Sequence, residues 1–218
     1  SARAIGAVNT VTKEAGTQRL RGDNTDWIGI QGQLAPKLKE RPSGHVGLIL
    51  GAGGTARAAA YAFKCMGFAE VYVLNRTTEK AAALATAFGD IFKVVRDAKE
   101  LESLARLDAV MGTLPGTAGA TLPIALLTRC RPVVIDAAYQ SSASGKRFTA
   151  LLQQALDIGC PIVEGLEMLF EQGCAQSGLW TGGRAPRREM ARALLADRFS
   201  DSPSPPQGLL REAGLGRA

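Results

Sequence analysis

The 218-residue sequence has one histidine, His45, and four cysteines, Cys65, Cys130, Cys160 and Cys174, with no CxxC pair among them. A single histidine excludes a multi-histidine metal site and argues against a His-based nucleophilic triad. Widely separated cysteines exclude a disulfide frame and a thiolate zinc site, and they fit small buried side chains in a reducing compartment. No apolar run approaches the roughly eighteen residues of a membrane span, and no secretory signal pattern opens the sequence. No internal repeat is present. The net charge is +6, yet much of the basic excess lies in Arg184, Arg187, Arg188 and Arg192, with no aromatic residues interleaved. That pattern reads as a solvated helix face, so neither nucleic acid nor membrane is expected as a partner. His45 reads as a surface residue. The opening Ser1-Ala2-Arg3 reads as the interior of a longer polypeptide.

What is present is an ordinary globular balance, 46% hydrophobic and 21% charged, with length for one domain plus additional structure. Within it, Val46 to Leu50 form an apolar run that reads as a buried strand. Gly51-Ala52-Gly53-Gly54-Thr55-Ala56 then turns that strand into a helix. The glycines allow a sharp bend and close approach to a pyrophosphate, whose charge sits at the exposed amides of the helix start. Ala56 takes the third fingerprint position, where a small residue lets helix and strand pack. A second apolar run, Val71 to Leu74, follows at the spacing of a βαβ unit. The alternative is a tight turn in an α/β protein that holds no ligand.

The residues after the second run bear on which dinucleotide is bound. An NAD site usually carries Asp or Glu there, bonded to the ribose hydroxyls. This sequence has Asn75-Arg76-Thr77, with Lys80 one helical turn later. A carboxylate would repel a 2′-phosphate, whereas Arg grips it with two charge-assisted bonds. NADP is therefore favoured as cofactor, the alternative being that Arg76 and Lys80 are solvated surface charges.

Strands and helices alternate from Val46 onward, which argues for a doubly wound parallel sheet of Rossmann type. The expected elements after the fingerprint are a helix over Glu79–Phe88, a strand over Ile91–Val95 and a helix over Lys99–Leu107. Strands at Ala109–Leu114 and Val133–Ala137, a helix over Arg147–Ile158 and a short strand at Pro161–Val163 follow. Ahead of the fingerprint, Ile5 to Val11 reads as a strand and Ile28 to Leu38 as a helix broken by Pro36. Helices over Leu166–Ser177 and Pro186–Phe199 close the pattern. The expected organisation is residues 1–41 as part of an α/β substrate domain and 42–163 as the dinucleotide-binding domain. Residues 164–199 form helices returning to the substrate domain, and 200–218 a disordered tail rich in Pro, Ser and Gly.

Three flanking segments carry groups suited to substrate chemistry. Asn9 offers an amide that both donates and accepts, Asp26 follows a polar turn and could transfer a proton, and Gln172 lies on an otherwise apolar helix. Each has a plainer alternative, as a turn or cap residue for Asn9 and Asp26 and as an exposed polar residue for Gln172.

Together the segments GAVNTV, GDNTDWIGI, GAGGTARA, NRT, IDAAY, EGLEMLFEQG and LWTG-x-x-AP resemble the shikimate dehydrogenase family. The resemblance is strongest to the version that ends the pentafunctional arom polypeptide, and it covers about residues 4–198. It implies NADP-linked, reversible reduction of 3-dehydroshikimate to shikimate on the chorismate route, in a cytoplasmic or plastid setting. It also implies that Asn9, Asp26, Tyr139 and Gln172 contact the substrate, with Asp26 catalytic. Gly51, Ala52, Gly53, Gly54 and Thr55 would hold the pyrophosphate, and Asn75, Arg76, Thr77 and Lys80 the adenosine with its 2′-phosphate. Ala137 and Gly165 would lie near the nicotinamide. Other domains of a multifunctional polypeptide are implied as partners. The sequence departs from the family at Met111-Gly112-Thr113, where many relatives have Asn-x-Thr. The family's catalytic lysine belongs to an N-x-T-x-P-x-K motif upstream of GAVNT, and so does the serine pair that grips the substrate carboxylate. Neither is matched in this sequence, so impaired turnover is the expectation. The competing readings are a quinate-pathway regulatory module that binds ligand without turnover, and a quinate dehydrogenase using NAD.

Overall fold

The computed structural model describes residues 1–41, 43–139, 147–199 and 205–215. Six strands form one parallel sheet in the order β5-β4-β3-β6-β7-β8. They are β3 (Val46–Leu50), β4 (Glu70–Leu74), β5 (Phe92–Val95), β6 (Ala109–Gly112), β7 (Val133–Asp136) and β8 (Ile162–Val163). Every residue of β3, β6 and β7 is buried, as expected for central strands covered on both faces. From β3 the chain winds outward through β4 to β5, then returns to the other side of β3 as β6. That reversal opens a crevice at the carboxyl ends of β3 and β6, where doubly wound sheets bind ligands.

Helices cover both faces. On one, α3 (Gly54–Cys65) and α4 (Thr78–Phe88) pack with Ile49, Val71, Val73 and Met111 of the sheet. Ala58, Ala59, Ala60 and Ala62 are fully buried, so α3 lies close on the strands because its inner face is methyl groups. On the other face, α5 (Ile124–Cys130) and α6 (Ala150–Ile158) pack with Leu48, Val110 and Val134. A third apolar cluster joins α7 (Gly165–Thr181), α8 (Arg187–Phe199) and α9 (Gln207–Glu212). The first residues supply α1 (Ala2–Ile5), an antiparallel hairpin of β1 (Thr10–Lys13) and β2 (Leu20–Asp23), and α2 (Asp26–Leu34). α2 packs against both α3 and α7. No helix among the described residues is long and apolar enough to cross a membrane.

The sheet follows the sequence pattern strand for strand, and several other elements differ. Ile5 to Val11 is not a strand: α1 ends at Gly6, whose φ of +73° closes it, and pairing starts only at Thr10. α2 starts at Asp26 and stops at Leu34, with Pro36 in a 3-10 turn over Ala35–Lys37. The expected helix over Lys99–Leu107 is a short 3-10 segment, Ala98–Ser103, capped by Asp97. Its continuation is extended because Arg106 is drawn to Asp108, to the Ser43 hydroxyl and to the Gly44 carbonyl. The helix expected from Arg147 begins at Ala150, where the Thr149 hydroxyl accepts the Leu152 N–H. α5 was not anticipated at all, because only seven residues form it.

Part of the expected disordered tail is ordered. α9 buries Leu209 and Ala213, and Arg187 reaches both Glu171 on α7 (2.6 Å) and Glu212 on α9 (2.8 Å). Arg187 is thus a tie between helices rather than a solvated charge. Residues 200–204 and 216–218 lie outside the described residues. His45 also departs from expectation: its side chain is only 14% exposed, between Phe68 and Asp108. Cys65 is exposed and Cys130 half-buried, so only Cys160 and Cys174 fit the reading of buried thiols.

Candidate active site

The turn after β3 is shaped by what its glycines leave out. Gly51 has φ +115°, a conformation closed to other residues, and a Cβ there would collide with the Thr113 hydroxyl. Its N–H donates to the Leu74 carbonyl at 2.8 Å, which ties the turn to the end of β4. Gly53 precedes α3 without a side-chain cap, and a Cβ on it would meet nothing within 4 Å. The amides at the start of α3 therefore face open space across the Gly51–Thr55 turn, which is what a pyrophosphate needs. Ala52 is half-buried and packs on the core.

At the end of β4, Asn75 Nδ2 donates to the Thr77 carbonyl at 2.8 Å and holds the next turn in shape. Arg76, Thr77 and Lys80 are exposed, and neither cation forms an ion pair among the described residues. Two cations thus stand at the end of β4 beside the glycine turn, where they could bond an anionic group. At the end of β7, Asp136 is buried and accepts from the Thr149 hydroxyl at 2.7 Å and from the Ala138 N–H at 3.2 Å. Burial pushes its carboxyl up, opposed by those two bonds. Gly112 makes room for it, since a Cβ there would lie 2.8 Å from the Asp136 carboxyl. Ala137 and Gly165 are pressed together: a Cβ on Gly165 would sit 2.5 Å from the Ala137 carbonyl oxygen. A capping box fixes that approach, with Glu167 Oε2 accepting from the Glu164 N–H at 3.1 Å, while Arg147 pairs with Glu164.

Asn9, Asp26 and Gln172 converge although they are far apart in sequence. Asn9 Nδ2 donates to Asp26 Oδ1 at 2.7 Å and lies 3.4 Å from Gln172 Oε1. Gln172 is buried on α7, so the plainer reading of it as an exposed amide does not apply. Burial raises the Asp26 carboxyl above its ordinary value, with the Asn9 amide pulling the other way. Ala7, two residues before Asn9, approaches to 3.6 Å the point where a Gly54 Cβ would stand. Ala7 thus brings the Asn9 segment up to the Gly51–Thr55 turn. Tyr139 is not joined to the cluster by a hydrogen bond; it is 45% exposed, and the Arg198 guanidinium lies 5.5 Å from its ring centre.

The sequence reading missed three contributors. Thr25 and Thr10 are buried and hydrogen bonded to Asn9. Arg57 of α3 donates to the Ile5 carbonyl at 2.6 Å, which fastens α1 to the cofactor helix. Asn24-Thr25-Asp26 was a signal for Thr25, since a hydroxyl between two polar site residues rarely points to solvent. Nothing local marked Arg57.

The chain matches two family models, "Shikimate / quinate 5-dehydrogenase" over residues 33–120 and "Shikimate 5'-dehydrogenase C-terminal domain" over residues 165–195. It is 39% identical over 211 residues to the pentafunctional AROM polypeptide of Kluyveromyces lactis, covering 89% of this chain and 13% of that protein. The chain therefore spans about an eighth of the length of the curated relatives it matches. Among solved structures it is similar to the shikimate 5-dehydrogenase of Thermus thermophilus in complex with NADP(H) and shikimate. There the TM-score is 0.69 at 34% identity, over 88% of this chain and 69% of that one. It is also similar to the quinate dehydrogenase of Corynebacterium glutamicum in complex with NAD, with TM-score 0.72 at 28% identity over 90% and 70%. Sheet topology, the glycine turn, the clustered polar residues and these matches agree: the chain belongs to the shikimate dehydrogenase family.

Proposed function

We propose that this chain is the cofactor-binding domain and part of the substrate domain of an NADP-dependent shikimate dehydrogenase, working as one unit of a multifunctional polypeptide. The observation that carries the reading is the meeting of Asn9, Asp26 and Gln172 beside an open dinucleotide turn. Residues 1–41 and 164–199 carry the substrate groups and 42–163 the cofactor cradle. In this reading the Gly51–Thr55 turn holds the pyrophosphate, and Arg76 and Lys80 hold the 2′-phosphate with Asn75 and Thr77 against the adenosine. Ala137 and Gly165 would lie beside the nicotinamide, where their close backbone contact holds the end of β7 against the start of α7.

Bound there, the reduced cofactor supplies a hydride to a ketone carbon. Asn9 and Gln172 bond the ring hydroxyls and orient the substrate, and Tyr139 lines its entrance. Asp26 accepts from the hydroxyl that the reacting carbon carries in the reduced alcohol. Ionised, it is an acceptor only, so the proton that the new alkoxide requires comes from a cationic partner, which the family resemblance assigns to a lysine upstream of GAVNT.

Titration of the chain with NADPH and NADH tests the reading. NADPH is expected to bind at least tenfold more tightly, since a 2′-phosphate bonded by Arg76 contributes more than about 1.4 kcal/mol. A folded chain that binds neither dinucleotide rules the reading out. Tighter NADH binding moves the assignment to an NAD-linked quinate dehydrogenase, the ligand class named for the Corynebacterium relative.

A further inference from the structure

α2 begins at Asp26, and Thr25 stands at the position before it, where a hydroxyl ordinarily accepts one of the helix's orphan amides. Thr25 does not do so. The neighbouring Asn24 side chain accepts the Asp26 N–H instead, at 3.0 Å. The Thr25 hydroxyl, 1% exposed, turns across to α7 and donates to Gln172 Oε1 at 2.9 Å. The Thr25 hydroxyl oxygen in turn accepts from Asn9 Nδ2 at 3.2 Å. Its backbone N–H donates to Asn9 Oδ1 at 2.9 Å.

These bonds have a direction. A backbone N–H only donates, so the atom of Asn9 facing it is the carbonyl oxygen, and Nδ2 is the edge turned to Asp26. The Thr10 hydroxyl adds to this by donating to Asn9 Oδ1 at 2.7 Å, itself accepting from Gln176 Nε2 at 3.1 Å. The nearest acceptor for the Thr25 proton is Gln172 Oε1, at 2.9 Å against 3.4 Å for Asn9 Oδ1, while Gln172 Nε2 donates to the Leu169 carbonyl at 3.2 Å. Helix spacing permits the reach. Gly29 lies one turn along α2, and a Cβ on it would stand 2.7 Å from the Met168 carbonyl and 3.3 Å from Gln172 Cβ. α7 can approach α2 this closely only because that side chain is missing.

We propose that Thr25 is a positioning residue of this site, giving up the cap of α2 to fix which edges of Asn9 and Gln172 face Asp26 and the substrate, with Gly29 setting the helix separation that allows it. The proposal rests on the reading of the cluster as the shikimate site. Thr25 touches neither reacting atom nor cofactor in that reading; it acts through the two amides. A valine at this position keeps the shape and loses the hydroxyl. Gln172 Oε1 would then keep only its 3.4 Å approach from Asn9, and its amide would be free to turn.

The test compares Thr25→Val, Thr25→Ser and Gly29→Ala in the full chain by two measurements. The first, without ligand, is the NMR signals and hydrogen exchange of the Asn9 and Gln172 side-chain amides. The second is shikimate affinity by calorimetry with NADP⁺ present. Thr25→Val is expected to shift both amides, speed their exchange and weaken shikimate binding roughly five- to tenfold, the value of a net hydrogen bond. NADPH affinity should stay within about twofold, which a general loss of structure would not allow. Thr25→Ser restores the signals, and Gly29→Ala reproduces the valine phenotype with the hydroxyl still in place. Unchanged amide signals in Thr25→Val overturn the proposal. A wild-type chain that binds NADPH but not shikimate overturns the substrate reading and the affinity half of this proposal, while the ligand-free signals still decide whether Thr25 sets the two amides.

Discussion

The two halves of the proposed site are built on opposite principles. The proposed cofactor turn is local: Gly51 to Lys80 supply it, and it would work through space, uncapped amides and cations that have no ion-pair partner among the described residues. The substrate cluster is assembled from Asn9, Thr25, Asp26 and Gln172, and its polar atoms are already bonded to one another. A backbone cradle can stay open because its amides are fixed by a helix and need no partner to keep their direction. Side-chain amides and carboxylates have rotatable bonds, so they keep their direction only when neighbours hold them. The difference predicts that the two halves fail separately.

Asp26→Asn should break the substrate half alone. Turnover by the full enzyme is expected to fall by about 10²–10⁴, the usual contribution of a positioned acid–base group, with NADPH affinity unchanged. Steady-state kinetics beside a NADPH titration checks this, and a loss of cofactor binding would merge the two halves. Gly51→Ala should break the cradle. Positive φ and the collision with Thr113 are expected to cost about 2–4 kcal/mol in chemical denaturation and to remove NADPH binding. Retained binding would show that the turn has slack.

Arg76→Ala tests a single charge at the cradle's edge. NADPH affinity should fall about 10- to 100-fold, the range for a bond to a charged group, and NADH affinity should not move. Equal losses for both cofactors would place Arg76 away from the 2′-phosphate. The smallest effect concerns pH. Burial holds the Asp26 carboxyl above its ordinary 3.8, so the folded state binds its proton more tightly than the unfolded chain does. The stability this gives is present below 3.8 and is lost as pH rises through the folded value. At neutral pH the buried charge therefore destabilises. Asp26→Asn is expected to raise the unfolding midpoint by about 1–3 °C at pH 7, with the gain shrinking toward pH 4. A midpoint that falls instead would mean the Asn9 bond outweighs the burial.

Much of the fold was legible because a parallel sheet writes itself locally. Five-residue apolar runs such as Val46 to Leu50, too short for a helix of their own and flanked by glycine, read as covered strands, and the glycines at 51, 53 and 54 mark the turn that follows. The misreadings share a cause. The helix expected through Leu107 stops at Ser103 because Arg106 is pulled to its near neighbour Asp108 and to the Ser43–Gly44 turn, which is distant in sequence. The tail reads as disordered by composition, yet α9 docks through Leu209 and the Arg187 tie to Glu212. Propensity does not register such contacts.

The site divides in the same way. Sequence by itself determined the glycine turn, the cations beyond β4 and the residue types able to handle a polyhydroxylated substrate, because backbone conformation and charge are properties of short segments. Only the tertiary structure decided that Asn9 meets Gln172, that Thr25 turns from its own helix to join them, and that Arg187 binds the tail. The first two depend on how close α2 and α7 can come, and at Gly29 a single missing side chain sets that distance.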